Sequence, residues 1–369
     1  MDDQLTKRIA KFLRNKPVIR ASDSLGNYAA ASSIGLVRDQ NQDAAAIARV
    51  RYASAPERDF DLAIVCDGLG GMKFGAEASA LALGAFVSRV LRVRGSTEER
   101  MLAGMEQAND QIFGAFHGQG GTTLSAVMIP RTGLPMLCHV GDSRIYAVGK
   151  VGVRQLTHDD TLQAALHKQS EVPNEQRDNR LLQFVGMGDD LEAQLSALPA
   201  ADTRAYLLTS DGAHDIPNAF LQRVVHAAGS NSDLVRRLVQ LSEILGGFDN
   251  ATAVVLPGTL EDTPDGHSDG LDLSVLAPTG NLNVWVPQFA EEKRPAAAPV
   301  ANELAKEVSA QGTPQPSNGT DENRPLKQEP SKPRRTKVKG LKKGKKASSE
   351  SELPLSESLT IQFPKSDEK

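Results

Sequence analysis

The sequence predicts an α+β fold in which antiparallel strands pack against helices. Short apolar runs bounded by glycine recur between residues 30 and 257, as is typical of buried strands that end in tight turns. Around Asp142 two such runs are separated only by a turn, which indicates a hairpin rather than a strand-helix-strand unit. Two longer stretches carry apolar residues at helical spacing, so we expect helices beside the sheets.

Composition divides the 369 residues into three parts. Residues 1–29 predict a basic amphipathic helix followed by a linker. Residues 30–257 alternate apolar runs with glycine densely enough to bury a core, and we predict one domain there. Residues 258–369 have few large apolar side chains and are rich in Pro, Ser, Glu and Lys, so we expect a disordered tail.

The central part predicts its elements in chain order. Strands are expected over 44–50 and 62–66, helices over 77–93 and 98–116, and strands over 124–129 and on both sides of Asp142. Residues 154–203 are polar and predict a helical turn followed by a mobile segment around 174–179. A strand over 205–209, a helix over 220–245 and a strand over 251–256 complete the pattern.

The two cysteines, Cys66 and Cys138, lie in apolar strand-like runs and have neither metal-ligand nor redox spacing. We therefore expect buried, reduced thiols. No apolar run is as long as a membrane span, and the first residues lack a secretory hydrophobic region. These features predict a cytoplasmic protein without a transmembrane segment.

Aspartates recur where apolar strands begin or end. Four of them lie beside glycine or asparagine: Asp67, Asp142, Asp211 and Asp249. Each alone is explained as a turn residue. If they converge, however, their repulsion at low dielectric requires a compensating cation.

Asp43 is a candidate for a fifth carboxylate in this set. Oxygen ligands without a nearby Cys or paired His favour Mg²⁺ or Mn²⁺ over Zn²⁺. Two such ions would activate a water and stabilise charge on a phosphoryl oxygen. Arg38 is suited to gripping that phosphate through two parallel hydrogen bonds.

Six short motifs, in order over roughly residues 30–257, resemble those of the type 2C metal-dependent Ser/Thr protein phosphatases, the PPM family, in its bacterial form. The motifs are Arg38-x-x-Asn41-Gln42-Asp43, the run from Val65 to Gly71, Gly121-Thr122-Thr123, the run from His139 to Arg144, Thr209-Ser210-Asp211-Gly212 and Asp249-Asn250-Ala251-Thr252.

The resemblance implies a four-layer α-β-β-α sandwich of two antiparallel sheets flanked by helices, with metals at one edge of the sheets. It implies Mn²⁺ or Mg²⁺, two per active site, with a third, weaker ion in bacterial members. The implied roles are Asp67 bridging both metals, the Gly68 carbonyl and Asp43 on the first, Asp211 and Asp249 on the second, Asp142 with Asp211 on the third, and Arg38 on the substrate phosphate. A hydroxide bridging the metals would attack phosphoserine or phosphothreonine directly.

Two departures from the family pattern concern the same cleft. Gln42 stands where an acidic residue commonly precedes Asp43, which removes one charge near the metals. The region that corresponds to the family's flap, residues 159–200, is short, and His158-Asp159-Asp160 replaces a common Asp-His pair. The chemistry is therefore predicted, whereas the choice of substrate is not.

The tail contains a basic block, residues 324–346, in which Glu329 is the sole acid. We predict that it tethers the protein to an anionic partner. Nucleic acid is a less favoured partner because the block has no aromatic residue for base stacking. Val284-Trp285-Val286 and Phe289 form either a linear docking motif or a patch that packs back on the domain, and residues 359–363 are a weaker candidate.

Two classes of function follow. In the first, the chain is an active phosphoprotein phosphatase that opposes a cognate Ser/Thr kinase. In the second, it is a scaffold or sensor that retains the fold and binds partners through its tail. The complete set of acids favours the first, because a scaffold has no use for five converging carboxylates. Another metallohydrolase, such as a nuclease, is a more distant third.

Overall fold

The computed structural model describes residues 2–14, 20–150, 152–167, 180–198, 202–261, 269–286, 292–293 and 334–337. The helices are α1 (Asp2–Arg14), α2 (Gly75–Arg92), α3 (Thr97–Phe116), α4 (Leu162–His167), α5 (Asp211–His214), α6 (Asn218–Ala227) and α7 (Asn231–Ile244). The strands are β1 (Arg20–Leu25), β2 (Tyr28–Ser33), β3 (Asp43–Tyr52), β4 (Phe60–Asp67), β5 (Val93–Arg94), β6 (Leu124–Pro130), β7 (Met136–Val140), β8 (Arg144–Gly149), β9 (Val153–Gln155), β10 (Glu192–Ala197), β11 (Thr203–Thr209), β12 (Ala251–Pro257), β13 (Leu271–Ala277), β14 (Gly280–Val286), β15 (Glu292–Lys293) and β16 (Arg334–Lys337).

Two sheets form the centre of the fold. The smaller has the order β1-β2-β12-β11-β8-β9, and the larger has the order β14-β13-β3-β4-β6-β7-β10-β16. Every pair within these two sheets is antiparallel. The short strands β5 and β15 pair in parallel apart from them.

Strand β4 is buried on both faces because it lies between the two apolar layers. Val65 faces the core between the sheets with Leu208 and Val254 of the smaller sheet. Ile64 faces the opposite way, into the core formed with α2 and α3. Side chains alternate along a strand, so a strand covered on both sides requires a continuous apolar run rather than an alternating one.

Helices cover the outer face of each sheet. Helices α1, α2 and α3 pack on the larger sheet, with Ile9 and Phe86 in that core. Helices α6 and α7 pack on the smaller sheet, where Leu221 and Leu238 are buried. This arrangement confirms the predicted α+β fold and the four-layer α-β-β-α sandwich.

The N-terminal region differs from the predicted helix and linker. Helix α1 packs against α2 at Gly84, where a Cβ would lie 2.7 Å from the Thr6 carbonyl oxygen, so the close approach needs glycine. Residues 20–29, predicted as linker, instead form β1 and the start of β2, and Tyr28 is fully buried. The predicted boundary at residue 30 therefore cuts through a strand.

The larger sheet also continues beyond the predicted boundary at residue 257. Strands β13 and β14 form a hairpin that extends the larger sheet, with β13 paired to β3. Leu271, Leu273 and Val275 are buried at alternate positions. The average composition of residues 258–369 concealed this short alternating run. Of the predicted docking patch, Trp285 lies in β14, where its indole N–H donates to the Asp269 carbonyl oxygen, and Phe289 lies outside the described residues.

The helix predicted over 220–245 is two helices. The Ser230 hydroxyl accepts a hydrogen bond from the Asp233 N–H at 3.1 Å and begins α7, immediately after Gly229. The predicted mobile segment around 174–179, residues 359–363 and most of the basic block lie outside the described residues. Cys66 and Cys138 are buried and form no disulfide, as predicted. Within the described ranges, no helix is long and apolar enough to cross a membrane.

We expect Leu273→Ala to lower the free energy of unfolding by about 2–5 kcal/mol, because it opens a cavity under the larger sheet. Asn283→Ala, at an exposed position of the same hairpin, is the control and is expected to change it by less than about 0.5 kcal/mol. Denaturant unfolding of the full chain measures both. Equal, small effects of the two substitutions would show that the hairpin is not part of the folded unit.

Candidate active site

The predicted acids lie at one shared end of the two sheets. In the larger sheet β3 and β4 pair antiparallel with Asp43 opposite Asp67, so the start of one strand meets the end of the other. In the smaller sheet Thr209 is opposite Ala253, which brings Asp211 after β11 and Asp249 before β12 to the same end. Antiparallel pairing thus gathers residues that are far apart in the chain.

An open cleft of about 780 Å³ lies at this end. It is lined by six of the seven predicted site residues: Arg38, Asp67, Gly68, Asp142, Asp211 and Asp249. The seventh, Asp43, is 1% exposed. Leu181 and Phe184 contribute apolar side chains to the wall. The structure therefore places all of the predicted site residues in or beside one cleft.

Burial and repulsion by neighbouring carboxylates raise the pKa values of three of the acids. Burial raises the pKa of Asp67 well above its usual range, and the neighbouring carboxylates, Asp43 first among them, add to the effect. Burial and then Asp142 raise the pKa of Asp211 to about 7. Burial and then Asp159 raise the pKa of Asp142 to about 6. The cleft is thus an acid cluster that stabilises positive charge.

Asp43 is oriented by two hydroxyl groups that the sequence analysis did not single out. Ser210 Oγ and Thr252 Oγ1 donate to Asp43 Oδ2 at 2.8 and 2.6 Å. Thr252 lies in the smaller sheet and Ser210 directly follows strand β11 of that sheet, whereas Asp43 begins a strand of the larger one. The Asn41 side chain also accepts from the Asp43 N–H. These bonds connect the two sheets beneath the cleft.

The main chain of Asp67 is held by the neighbouring strand β6 and the turn before it. The Asp67 N–H donates to Thr123 Oγ1 at 2.9 Å, and Thr122 Oγ1 donates to the Asp67 carbonyl oxygen at 2.8 Å. At Gly68 a Cβ would collide with the Gly75 carbonyl and lie 2.8 Å from that of Gln42. Only glycine permits this turn.

Arg38 reaches into the cleft from the loop before β3. Its Nη2 donates to Asp249 Oδ2 at 2.6 Å, and this bond raises the pKa of Arg38, which therefore remains protonated. The Arg38 side chain is 42% exposed. The guanidinium is thus attached to the acid cluster and accessible from solvent.

The unusual His158-Asp159-Asp160 run has a structural explanation. Arg144 makes a two-pronged ion pair with Asp159, its Nη2 and Nε lying 2.7 and 3.0 Å from the carboxylate oxygens. Asp160 Oδ2 accepts from the Gly141 N–H at 3.0 Å, beside Asp142. Leu182 donates from its N–H to the Asp160 carbonyl oxygen, so this run also fastens the cleft wall.

His214 lies behind the acids and was not identified from the sequence. It ends α5, three residues after Asp211, and its Nδ1 is 2.9 Å from Thr209 Oγ1. Burial, followed by the charge of Arg144, lowers the pKa of His214 well below 6.5. The imidazole is therefore neutral in the folded protein. In the sequence, the one feature that could have indicated a role for His214 is its position three residues after Asp211, a helical spacing.

The residues fit a divalent cation by their chemistry. Asp211 Oδ1 is buried and has no hydrogen-bond partner among the described residues, and the crowded acids have raised pKa values. The set consists of oxygen donors, which suits Mg²⁺ or Mn²⁺. Across the described ranges, however, no three His, Cys, Asp or Glu side chains form a ready-made metal site. Asp43 and Asp249 are hydrogen-bonded to protein groups instead.

Together, the sandwich and the acid cleft match what the resemblance to the PPM phosphatases implies. No family model matches the chain. It is similar to serine/threonine phosphatase Stp of Listeria welshimeri, with 26% identity over 216 residues that cover 54% of this chain and 85% of the relative. It is also similar to PstP of Mycobacterium tuberculosis, with 29% identity over 239 residues that cover 62% of this chain. The match covers 44% of PstP, so the chain spans less than half of that relative.

Solved structures of phosphatases show the same similarity to this chain. The PPM Ser-Thr phosphatase MsPP of Mycobacterium smegmatis, solved with cacodylate, has 26% identity and a TM-score of 0.53, covering 64% of this chain and 99% of that one. The catalytic domain of PstP, solved with two manganese ions, has 28% identity and a TM-score of 0.50, covering 64% and 97%. In sequence and fold the chain is therefore similar to the bacterial-type PPM phosphatases, and these relatives support an enzyme of the protein-serine/threonine phosphatase class.

The neutral His214 predicts a pH dependence of stability. Because its pKa is lower in the folded than in the unfolded protein, the unfolded protein binds more protons, and stability falls as the pH drops below 6.5. We expect His214→Gln to have a shallower loss of stability between about pH 7 and pH 5 than the unaltered chain. Denaturant unfolding at several pH values measures it. His226→Gln, at an exposed position, is the matched control and should keep the original slope. A slope that His214→Gln leaves unchanged would contradict the neutral imidazole.

Proposed function

We propose that this chain hydrolyses phosphoserine and phosphothreonine in proteins at the acid cleft, with two divalent ions held by four of the five aspartates. The observation that carries the proposal is the convergence of these acids at the shared end of both sheets, where burial and the neighbouring carboxylates raise the pKa values of Asp67 and Asp211. The structure of PstP with two manganese ions supports the same number of metals here. When bound, such ions lower the pKa of a coordinated water and stabilise charge on phosphoryl oxygens.

We assign the ligands as the family resemblance implies. Asp67 would lie between the two ions, Asp43 and the Gly68 carbonyl oxygen would hold the first, and Asp211 and Asp249 the second. The hydrogen bonds of the Asp67 main chain with Thr122 and Thr123 fix the position of the backbone that carries the Asp67 carboxylate. Ser210 and Thr252 both donate to the same oxygen of Asp43, which fixes the direction of its carboxylate beside the cleft.

A third, weaker ion is proposed between Asp142 and Asp211. Asp142 is the second-largest cause of the raised pKa of Asp211, after burial, which supports the nearness of the two carboxylates. Either Mn²⁺ or Mg²⁺ suits these oxygen donors. Gln42 lines the cleft as a neutral side chain where a carboxylate would add another negative charge.

Arg38 is proposed to bind the substrate phosphate. Its ion pair with Asp249 is half-exposed, so solvent screens it and a dianionic phosphate can compete for the guanidinium. A planar guanidinium offers two parallel N–H groups to a phosphate, which orients the ester as well as attracting it. Phosphoprotein substrates imply a kinase that supplies them, and we propose a Ser/Thr kinase as the opposing enzyme.

The decisive assay is phosphate release from a phosphothreonine peptide with Mn²⁺, with Mg²⁺ and with chelator. Asp67→Asn is expected to lower the rate at least about a hundredfold, because it removes the central charge of the cluster. The control is Asp215→Asn, an exposed acid four residues after Asp211, which should retain activity. Metal-independent activity, or full activity of Asp67→Asn, would overturn the proposal. Inactivity of the folded, metal-loaded chain on several phosphopeptides would favour a binding scaffold.

Arg38→Ala is expected to lower kcat/KM by about 10- to 100-fold while leaving Mn²⁺ affinity within about threefold of the unaltered chain, since Arg38 binds phosphate rather than metal. Arg38→Lys should recover only part of the loss because an ammonium lacks the paired donors. Steady-state kinetics and calorimetric titration with Mn²⁺ measure the two effects separately. Arg14→Ala, an exposed ion-pair partner of Glu77, controls for loss of surface charge. Loss of Mn²⁺ binding in Arg38→Ala would assign the arginine to the metal site instead.

A further inference from the structure

The outer edge of β10 is covered by a segment from the basic block. Strand β10 pairs with β7 on one side and with β16 on the other, both antiparallel. The register places Lys337 opposite Glu192 and Arg334 opposite Leu195. Residues 324–346 were predicted to lie in a disordered tail, so strand β16 is an unexpected element of the larger sheet.

Without β16, strand β10 would be the edge of the larger sheet. An edge strand presents a row of unpaired N–H and C=O groups that readily accept another extended segment. Strand addition of this kind takes its affinity from main-chain hydrogen bonds and its selectivity from side chains. A short segment that returns from far along the chain can occupy such an edge and leave it again.

Charge favours a basic occupant. Asp189, Asp190 and Glu192 are exposed where the chain enters β10. The segment 334–337 has the sequence Arg-Arg-Thr-Lys, and more lysines follow it. Opposite charges around an edge strand select a partner and its direction more than they add affinity.

The covered edge is connected to the active-site cleft through residues 180–191, which we call the cleft segment. It continues directly into β10, and the Glu192 N–H donates to Gln183 Oε1 at 3.0 Å. Val185 exchanges backbone hydrogen bonds with Thr122, whose hydroxyl donates to the Asp67 carbonyl oxygen. Phe184 lines the cleft. A short series of hydrogen-bonded residues thus connects β10 to the cleft wall.

We propose that the edge of β10 is a docking surface for the chain's own segment 334–337, and that this docking restrains the cleft segment beside the active site. The tail then acts on the enzyme in cis, as a detachable edge strand. Release of the segment frees the basic block for an anionic partner and loosens one wall of the cleft.

Amide hydrogen exchange on the full-length protein tests the proposal without requiring activity. The variant Arg335→Pro/Thr336→Pro breaks the strand: adjacent N–H groups point to opposite sides, so one of the two prolines removes a bond toward β10. The matched control, Arg335→Val/Thr336→Val, loses the same charge but keeps strand-forming residues. A second control, Lys342→Gln/Lys343→Gln, lowers the charge of the block outside the strand.

We expect the proline variant to exchange about tenfold or more faster in peptides covering 192–197 and 180–191, whereas both controls match the unaltered chain. A synthetic peptide of residues 330–341 added to the proline variant should restore protection. Unchanged exchange over 192–197 in the proline variant would overturn the docking. Faster exchange over 192–197 with unchanged exchange over 180–191 would overturn the restraint on the cleft segment.

Discussion

Five carboxylates meet where the two sheets share an end, and their mutual repulsion constrains everything around them. Burial and neighbouring acids raise the pKa of Asp67 well above its usual range, and that of Asp211 to about 7. Such crowding is unfavourable unless positive charge enters the cleft. The fold tolerates this unfavourable repulsion because the strands that carry the acids are anchored in a core that is apolar on both faces of the larger sheet.

The supporting bonds show how the two sheets act as one scaffold. Ser210, directly after β11, and Thr252 of the smaller sheet hold Asp43 of the larger, while Thr122 and Thr123 hold the backbone of Asp67. A site built on strand ends in this way is more rigid than one built on free loops. The wall of the cleft differs from this scaffold, because it is attached through Asp160 and through β10. It is therefore the part of the site where regulation is easiest to introduce.

The sequence predicted the site better than its surroundings. Four of the acids were found because each begins or ends an apolar run beside glycine or asparagine, Asp43 was added from the polar run that contains Arg38 and Asn41, and the ordered motifs supplied the fold. The hairpin at 271–286 was missed because its short alternation was averaged with a polar tail, and the helix break at Ser230 because a capping serine resembles any surface serine. The roles of the hydroxyls on Asp43 were missed because they depend on pairing between distant strands. His214 was missed because its bond to Thr209 forms across a short strand-to-helix turn, where no periodic pattern marks it.

The central claim is that Asp43, Asp67, Asp211 and Asp249 would hold a pair of divalent ions, with Asp67 shared between them. Anomalous scattering from a crystal of the full chain grown with Mn²⁺ tests it most directly. The account predicts two strong manganese peaks in the cleft, one between Asp43 and Asp67 and the other between Asp67, Asp211 and Asp249. A single peak, or peaks outside this cleft, would contradict it.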